Sequence, residues 1–318
     1  MSSVPFSQLP DRHTFAGYLA CALAGSLWGT GFFFGRIALD EMSVEHMVLY
    51  RFLFASLGML PLAIWKHVRL SRLALVQLLI CTFLGIPVQF LIQFHGLART
   101  TVSHAALMVG AMPVILAFGA ALFTSERLDR LGWIAIAAST LGAALVVIGG
   151  REGSGQHGEP SLYGDLLILG SLVTALGWIL LNKTLVRRYP PTAIASYSIL
   201  IGTLMLLGWV VGPALLFGHP EALPPIHGIS LKAWLALAAS GFFCTAATTT
   251  LWNWGLQQVP ASRAGVFLNL EPVIGSILGV TLLGEQLGPW AGFGGLLILS
   301  AAVGMSLRGS GEGELLIE

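Results

Sequence analysis

The feature that most restricts what this chain can fold into is a duplication. Residues 260 to 289, PASRAGVFLNLEPVIGSILGVTLLGEQLGP, repeat without a gap, 159 positions later, the pattern of residues 101 to 130, TVSHAALMVGAMPVILAFGAALFTSERLDR. Under that offset Gly96 meets Gly255, Ser103 meets Ser262, Pro113 meets Pro272, Glu126 meets Glu285 and Leu128 meets Leu287. Each copy reads as an apolar span of about 20 residues with a proline near its middle, then a glutamate-bearing hairpin into another apolar span. An earlier stretch repeats at an offset of 147, where Gly17 meets Gly164, Arg36 meets Lys183, Tyr50 meets Tyr197 and Ser56 meets Thr203. The two copies join at GGREGSGQHGEPS, residues 149 to 161, a glycine-rich polar run that reads as a flexible connection.

Composition decides the solvent. The chain is 55% hydrophobic and only 10% charged, against roughly 25% charged in an average soluble domain, so it has too few charged groups to cover itself with a water-facing surface. Apolar runs long enough for about 30 Å of hydrocarbon fall at 15 to 35, 46 to 65, 73 to 95, 102 to 123, 131 to 149, 163 to 182, 192 to 216, 232 to 254, 262 to 283 and 290 to 307. They are continuously apolar and lack the alternation of a transmembrane barrel strand. The expected fold is an all-α integral membrane protein with ten transmembrane helices. Its expected divisions are a tail at 1–13, a first repeat at 14–150, a linker at 151–162, a second repeat at 163–308 and a tail at 309–318.

Loop charge gives an orientation. With the N-terminus inside, Arg12, Lys66, Arg69, Arg72, Arg127, Arg130, Lys183, Arg187, Arg188, Arg263 and Arg308 lie on the cytoplasmic side, and Arg36, Arg51, Arg99, Arg151 and Lys232 towards the other. Both termini are then cytoplasmic in a cell membrane, with a bacterial inner membrane expected. Five spans per half is an odd number, so the second half must enter the membrane the other way up: the repeats are inverted. The first apolar span is longer than a signal-peptide core and has no clear small-x-small cleavage site, so it reads as the first helix, not a cleaved signal. Cys21, Cys81 and Cys244 all lie inside apolar spans and read as small buried hydrophobes. No basic stripe suggests nucleic acid, no HExxH or similar spacing suggests a metal, and no GxxxxGK[ST] suggests ATP. No cofactor is indicated; the expected partners are the bilayer and a small-molecule substrate.

These residues carry a family resemblance. Both copies resemble the EamA domain of the drug/metabolite transporter superfamily, on VPASRAG, LEP, LLGEQL and AGFGGLLIL in the second copy, FTSERL in the first, LWG at Leu27 to Gly29, RF at Arg51 and Phe52, and GDLL at Gly164 to Leu167. The match extends over roughly residues 15 to 307. The first copy keeps Glu126 and Leu128 but lacks the glycine of the LGE pattern. The resemblance implies a ten-helix secondary transporter, not an enzyme, whose central cavity is lined by helices 1, 3, 4, 6, 8 and 9. It also implies export or exchange of small metabolites such as amino acids. Inverted repeats independently favour a midplane site exposed alternately to either side. Other readings are a sugar or nucleotide-sugar carrier, a passive channel, or an intramembrane enzyme acting on lipid, for which no catalytic set is in view.

The duplication also sorts residues. A feature present in both halves serves both sides alike and reads as scaffold; a polar residue present in one half only breaks the symmetry. Glu126 and Glu285 are shared and read as carboxylates that cap the helix following each hairpin. Pro113 and Pro272 are shared and read as helix bends. Glu271 is one-sided, its counterpart being Met112. Its charge costs roughly 2.5 to 3.5 kcal/mol near a helix centre, so it is either a group for proton coupling or substrate pairing, or a brace beside Pro272. Asn269 is a further candidate, although it stands roughly 200° around the helix from Glu271. Gln89 and Gln93 share a helix face, as do their counterparts Thr248 and Trp252, and these neutral groups suit a cavity for a zwitterionic or amphipathic solute. Trp28 and Trp178 sit near mid-helix, away from the interfacial belt where tryptophans usually collect. Arg51 is expected to snorkel to the interface, and among the histidines only His95 is expected near the pathway.

Overall fold

The computed structural model describes residues 12–65, 68–112, 114–115, 119, 130–149, 161–186, 188–218, 225–258 and 265–312. The expected tails at 1–13 and 309–318, most of the linker at 151–162, Pro113 and Glu126 lie wholly or largely outside them. The described residues contain helices and no strand. In chain order the α-helices are α1 Arg12–Gly29, α2 Gly31–Leu39, α3 Val44–Trp65, α4 Arg72–Phe83, α5 Gln89–Leu97, α6 Val102–Val109, α7 Arg130–Gly149, α8 Leu162–Val186, α9 Pro191–Phe217, α10 Leu231–Gly241, α11 Thr248–Gln258, α12 Leu270–Leu282 and α13 Pro289–Glu312.

Six continuous helical stretches are long and apolar enough to cross a membrane: Thr14–Leu39, Val44–Trp65, Arg72–Leu97, Leu162–Val186, Pro191–Phe217 and Leu231–Gly255. Trp133–Val146, Phe267–Leu282 and Pro289–Ala301 are shorter apolar helices. Leu57, Leu204, Leu215 and Leu296 are exposed on the outside of the bundle. In water such faces would be costly; in lipid they meet their own kind.

Two long helices change register in the same place. A π-helical turn at Leu84–Val88 separates α4 from α5, and another at Phe242–Ala247 separates α10 from α11; 159 positions relate the two. In the first turn Pro87 has no N–H to donate, which breaks the ordinary helical ladder. In the second, the Thr245 hydroxyl donates to the Ser240 carbonyl five residues back at 3.1 Å. The helices that follow the two loops also start alike: Ser71 Oγ accepts from Ala74 N and Ser230 Oγ from Ala233 N, each at 3.2 Å.

The matched residues make matched contacts. A side-chain carbon on Gly96 would lie 2.8 Å from the Gly164 carbonyl oxygen, and one on Gly255 would lie 3.1 Å from that of Gly17. Gly96 and Gly255 therefore let α5 close on α8, and α11 on α1. Tyr50 donates to the Pro225 carbonyl at 2.8 Å, and Tyr197 accepts from Val68 N at 2.8 Å, so each tyrosine ties down the loop ahead of α10 or α4. Ser56 and Thr203, the matched pair on α3 and α9, hydrogen-bond to each other at 2.8 Å. Further contacts join α6 to α12 and α7 to α13, and one apolar core of buried residues runs from Phe32 and Met47 through Met108 to Leu206 and Ile298.

Candidate functional site

The sequence-selected residues fall into separate groups. Trp28, at the end of α1, meets Trp252 of α11 with ring centroids 5.4 Å apart, and Trp252 also packs beside Tyr18 and Phe267 around Cys21. Trp178 of α8 instead packs on the first π turn, where a side chain on Gly85 would run into its indole; its other neighbours are the cluster of Leu78, Cys81, Leu185 and Ile194. Thr248 is fully buried and donates to the Thr245 carbonyl at 3.0 Å. Asn269 is buried at the end of the 3-10 turn Gly265–Asn269 that leads into α12, and Pro272 is buried in the first turn of α12. Gln89 is half-buried and Gln93 buried on α5. No described residue hydrogen-bonds either amide.

Arg51 differs from expectation. It does not snorkel: it is only 4% exposed, and it is held within the bundle by contacts that turn it inward. Its Nε donates to Thr245 Oγ1 at 3.0 Å and its Nη2 makes a long 3.5 Å contact to the Cys244 carbonyl, both on the second π turn. The guanidinium lies over the rings of Phe90 and Phe94, 5.0 and 5.3 Å from their centroids. Phe90, Gln93 and Phe94 are spaced to share one face of α5, so the buried Gln93 stands on the face that receives the arginine.

Glu271 closes the same region from the other repeat. The break between α1 and α2 at Thr30 is flanked by two glycines. A side chain on Gly29 would lie 2.7 Å from the Glu271 carbonyl oxygen, and one on Gly31 would lie 3.5 Å from Arg51 Nη2. Thr30 itself meets Cys244 Sγ at 3.0 Å. Arg51 and Glu271 thus approach one short stretch of chain from two sides, within electrostatic reach of one another. Among the described residues no carboxylate oxygen comes within 4.0 Å of the guanidinium.

A second polar group, at the end of the bundle that carries the turns at 98–101 and 283–288, is fully satisfied at its centre. Glu285 Oε1 accepts from Val102 N at 2.7 Å, and its Oε2 accepts from Ser103 N at 2.7 Å and from Ser103 Oγ at 2.6 Å. The capping expectation changes accordingly: the carboxylate serves the start of α6, in the other repeat, not the helix that follows its own hairpin. Arg36 donates through Nη2 to the carbonyls of Leu97 and Thr100, closing the C-terminal end of α5. Thr100 Oγ1 donates to Asp165 Oδ1 at 2.6 Å, and Asp165 Oδ2 lies 4.0 Å from Nδ1 of His104, a ring only 1% exposed. His95, expected near the pathway, instead pairs its Nε2 with Glu45 Oε1 at 3.0 Å, with both side chains partly exposed.

The sequence reading missed three of these residues. His104 and Asp165 satisfy the one-sided criterion, since their counterparts are Arg263 and Tyr18, although Asp165 also belongs to the GDLL pattern. Arg51 was set aside because it lies about a turn inside its span, and sequence depth does not say which way a side chain turns.

Comparison with known proteins adds the following. Residues 15–148 and 162–307 each match the model of the EamA-like transporter family. Inner membrane protein YtfF of Escherichia coli K12 is 27% identical over 320 residues, covering 93% of this chain and 96% of that protein. A probable terminal-alkyne amino-acid exporter of Streptantibioticus cattleyicolor is 24% identical over 299 residues, covering 92% and 94%. A solved crystal structure superposes with a TM-score of 0.64 at 16% identity, covering 93% of this chain and 98% of that one, so the two share a fold.

Proposed function

The chain belongs to the EamA-like transporter family, and from that premise we propose that it carries small metabolites of the amino-acid class across a cell membrane by alternating access to a site between its two repeats. It is a multi-pass membrane transporter; the substrate, the direction and the inverted arrangement are the proposal. The inverted arrangement takes support from the matched contacts: Gly96 with Gly164 and Gly255 with Gly17, Tyr50 and Tyr197, and Ser56 bonded to Thr203. Two units that pack like-on-like can rock about their shared axis and expose one site to either face in turn. The amino-acid class and outward direction take support from the relative named as an amino-acid exporter.

The observation that carries the reading is the amide of Gln93, a buried residue of α5 that has no hydrogen-bond partner among the described residues and shares a helix face with Phe90 and Phe94, the rings on which Arg51 lies. An amide that no protein group satisfies is open to a solute, which can take the hydrogen bonds that water otherwise makes. Trp28, Gln89, Trp178, Thr248, Trp252 and Asn269 remain proposed lining residues, Pro113 and Pro272 proposed bends, and Glu271 the proposed carboxyl that takes and releases a proton during the cycle. Counterflow of labelled amino acids into preloaded proteoliposomes tests the reading, because a carrier shows counterflow and a passive channel does not. The wild-type protein is expected to show it, and Gln93→Leu to lose it while keeping its melting temperature. Absence of counterflow with every amino acid in the wild type refutes the substrate class, and loss of stability in proportion to transport reduces Gln93 to a packing residue.

A further inference from the structure

Two buried arginines in this molecule have different surroundings. Arg36 donates through Nη2 to the carbonyls of Leu97 and Thr100, which are acceptors that the end of a helix leaves over, while its Nε is buried with no partner among the described residues. Arg51 has one good hydrogen bond, to a hydroxyl, one long contact to a carbonyl, and two aromatic faces. Among the described residues nothing accepts from its Nη1, and no carboxylate is in contact. A buried cation is costly unless an anion repays its desolvation. Aromatic faces repay only part of that cost.

On one side the Arg51 guanidinium faces a glycine. Gly31 puts no side chain beside Nη1 or Nη2, both of which a carbon there would approach at 3.7 and 3.5 Å. A guanidinium with adjacent free N–H groups is the fork that binds a carboxylate through two parallel hydrogen bonds. Glu271, the one-sided acid, has its backbone against Gly29 at the α1–α2 break, and its carboxylate is not within 4.0 Å of Arg51. An arginine and a carboxyl within electrostatic reach but not in contact, with the Gln93 amide on the helix face of Phe90 and Phe94, match the two ends and the polar flank of a zwitterion.

We propose that Arg51 is the carboxylate subsite of the transport site and Glu271 its ammonium subsite, so that the substrate class is α-amino acids carrying both free groups. This rests on the carrier reading above and narrows it. Phe90 and Phe94 hold the guanidinium plane from one side, and Thr245 fixes its Nε edge through the second π turn, leaving the Nη edge for the ligand. The π turn has a purpose in this arrangement: it supplies both the Thr245 hydroxyl and the Cys244 carbonyl that aim the arginine.

The test uses the reconstituted full-length protein with three inside loads against trace labelled amino acids: pooled proteinogenic L-α-amino acids, the corresponding amino-acid amides, and the corresponding deaminated carboxylic acids. The amino acids are expected to drive counterflow, and the amides and deaminated acids to fall short by roughly 10- to 100-fold, the factor for losing a hydrogen bond to a charged group. Amides as effective as the amino acids overturn the Arg51 assignment, and deaminated acids as effective overturn that of Glu271. No counterflow under any load instead overturns the carrier reading on which both rest. Arg51→Lys, which keeps the charge, is expected to retain a measurable part of the preference for acid over amide, and Arg51→Gln to abolish it. A preference that survives in Arg51→Gln refutes the proposal, and because the load comparison is made on the wild type, a variant that fails to fold does not shield it.

Discussion

At the scale of single residues, sharing between the repeats and chemical role go together. Gly96 and Gly255 are shared because each lets one backbone approach another closely, and Tyr50 and Tyr197 because two loops must be tied. These roles were legible as scaffold from the duplication alone. What could not be read was the partner of each side chain, since the offset says which residues are equivalent but not which meet. Glu285 illustrates the limit: a glutamate just ahead of a helix suggests that helix, yet it accepts three hydrogen bonds from Val102 and Ser103, in the other repeat. Glu285→Gln keeps the size but can accept at only one of its two terminal atoms, leaving a buried N–H of α6 unpaired. The expected outcome is a loss of about 1–3 kcal/mol, seen as a lower melting temperature of the detergent-purified protein, with Ser103→Ala falling between it and the wild type.

At the scale of helices, apolar length located the spans but not their interruptions. Pro87 gives a reason for the first π turn; nothing as plain marks the second, where Phe242 to Ala247 read as ordinary apolar helix. The wider turn is stabilised by tertiary contacts, Arg51 on Thr245 among them, and these are not local in sequence. Small residues were equally ambiguous. Gly275 and Gly279 could have faced another molecule; in the fold they face Ala106 and Ser103 of α6. The pairing of α7 with α13 depends on the same device, since a carbon on Gly142 would lie 2.6 Å from the Gly294 carbonyl and one on Gly294 2.5 Å from that of Gly142. Gly142→Leu is therefore expected to cost about 1–3 kcal/mol through overpacking. Gly170→Leu, where a side-chain carbon meets nothing within 4 Å, should leave the melting temperature unchanged.

At the scale of the whole molecule, the duplication, the all-helical class and the family were legible because they depend on composition and spacing over hundreds of residues. Orientation belongs to this scale too, and under the proposed inverted arrangement it follows from loop charge. The native cysteines Cys21, Cys81 and Cys244 are all buried, so background labelling will be low. A cysteine at the exposed His227, in the loop ahead of α10, is expected to react with an impermeant thiol reagent from outside intact cells, and one at the exposed Arg188, ahead of α9, only after lysis. Labelling of both from the same side would contradict the crossing of the membrane by α9. The candidate site was half legible: Glu271 and Gln93 stood out as polar groups in apolar spans, whereas Arg51 needed the fold to show which way it turns.

The bond between Ser56 and Thr203 also bears on inheritance. A contact between equivalent positions is the contact that two identical chains must make across a twofold axis, and there one gene would write both partners, so any mutation would strike the pair twice. Here the two positions are encoded separately. One has become serine and the other threonine, and the added methyl sits on one side only, a difference that a pair of identical subunits has no means of passing on.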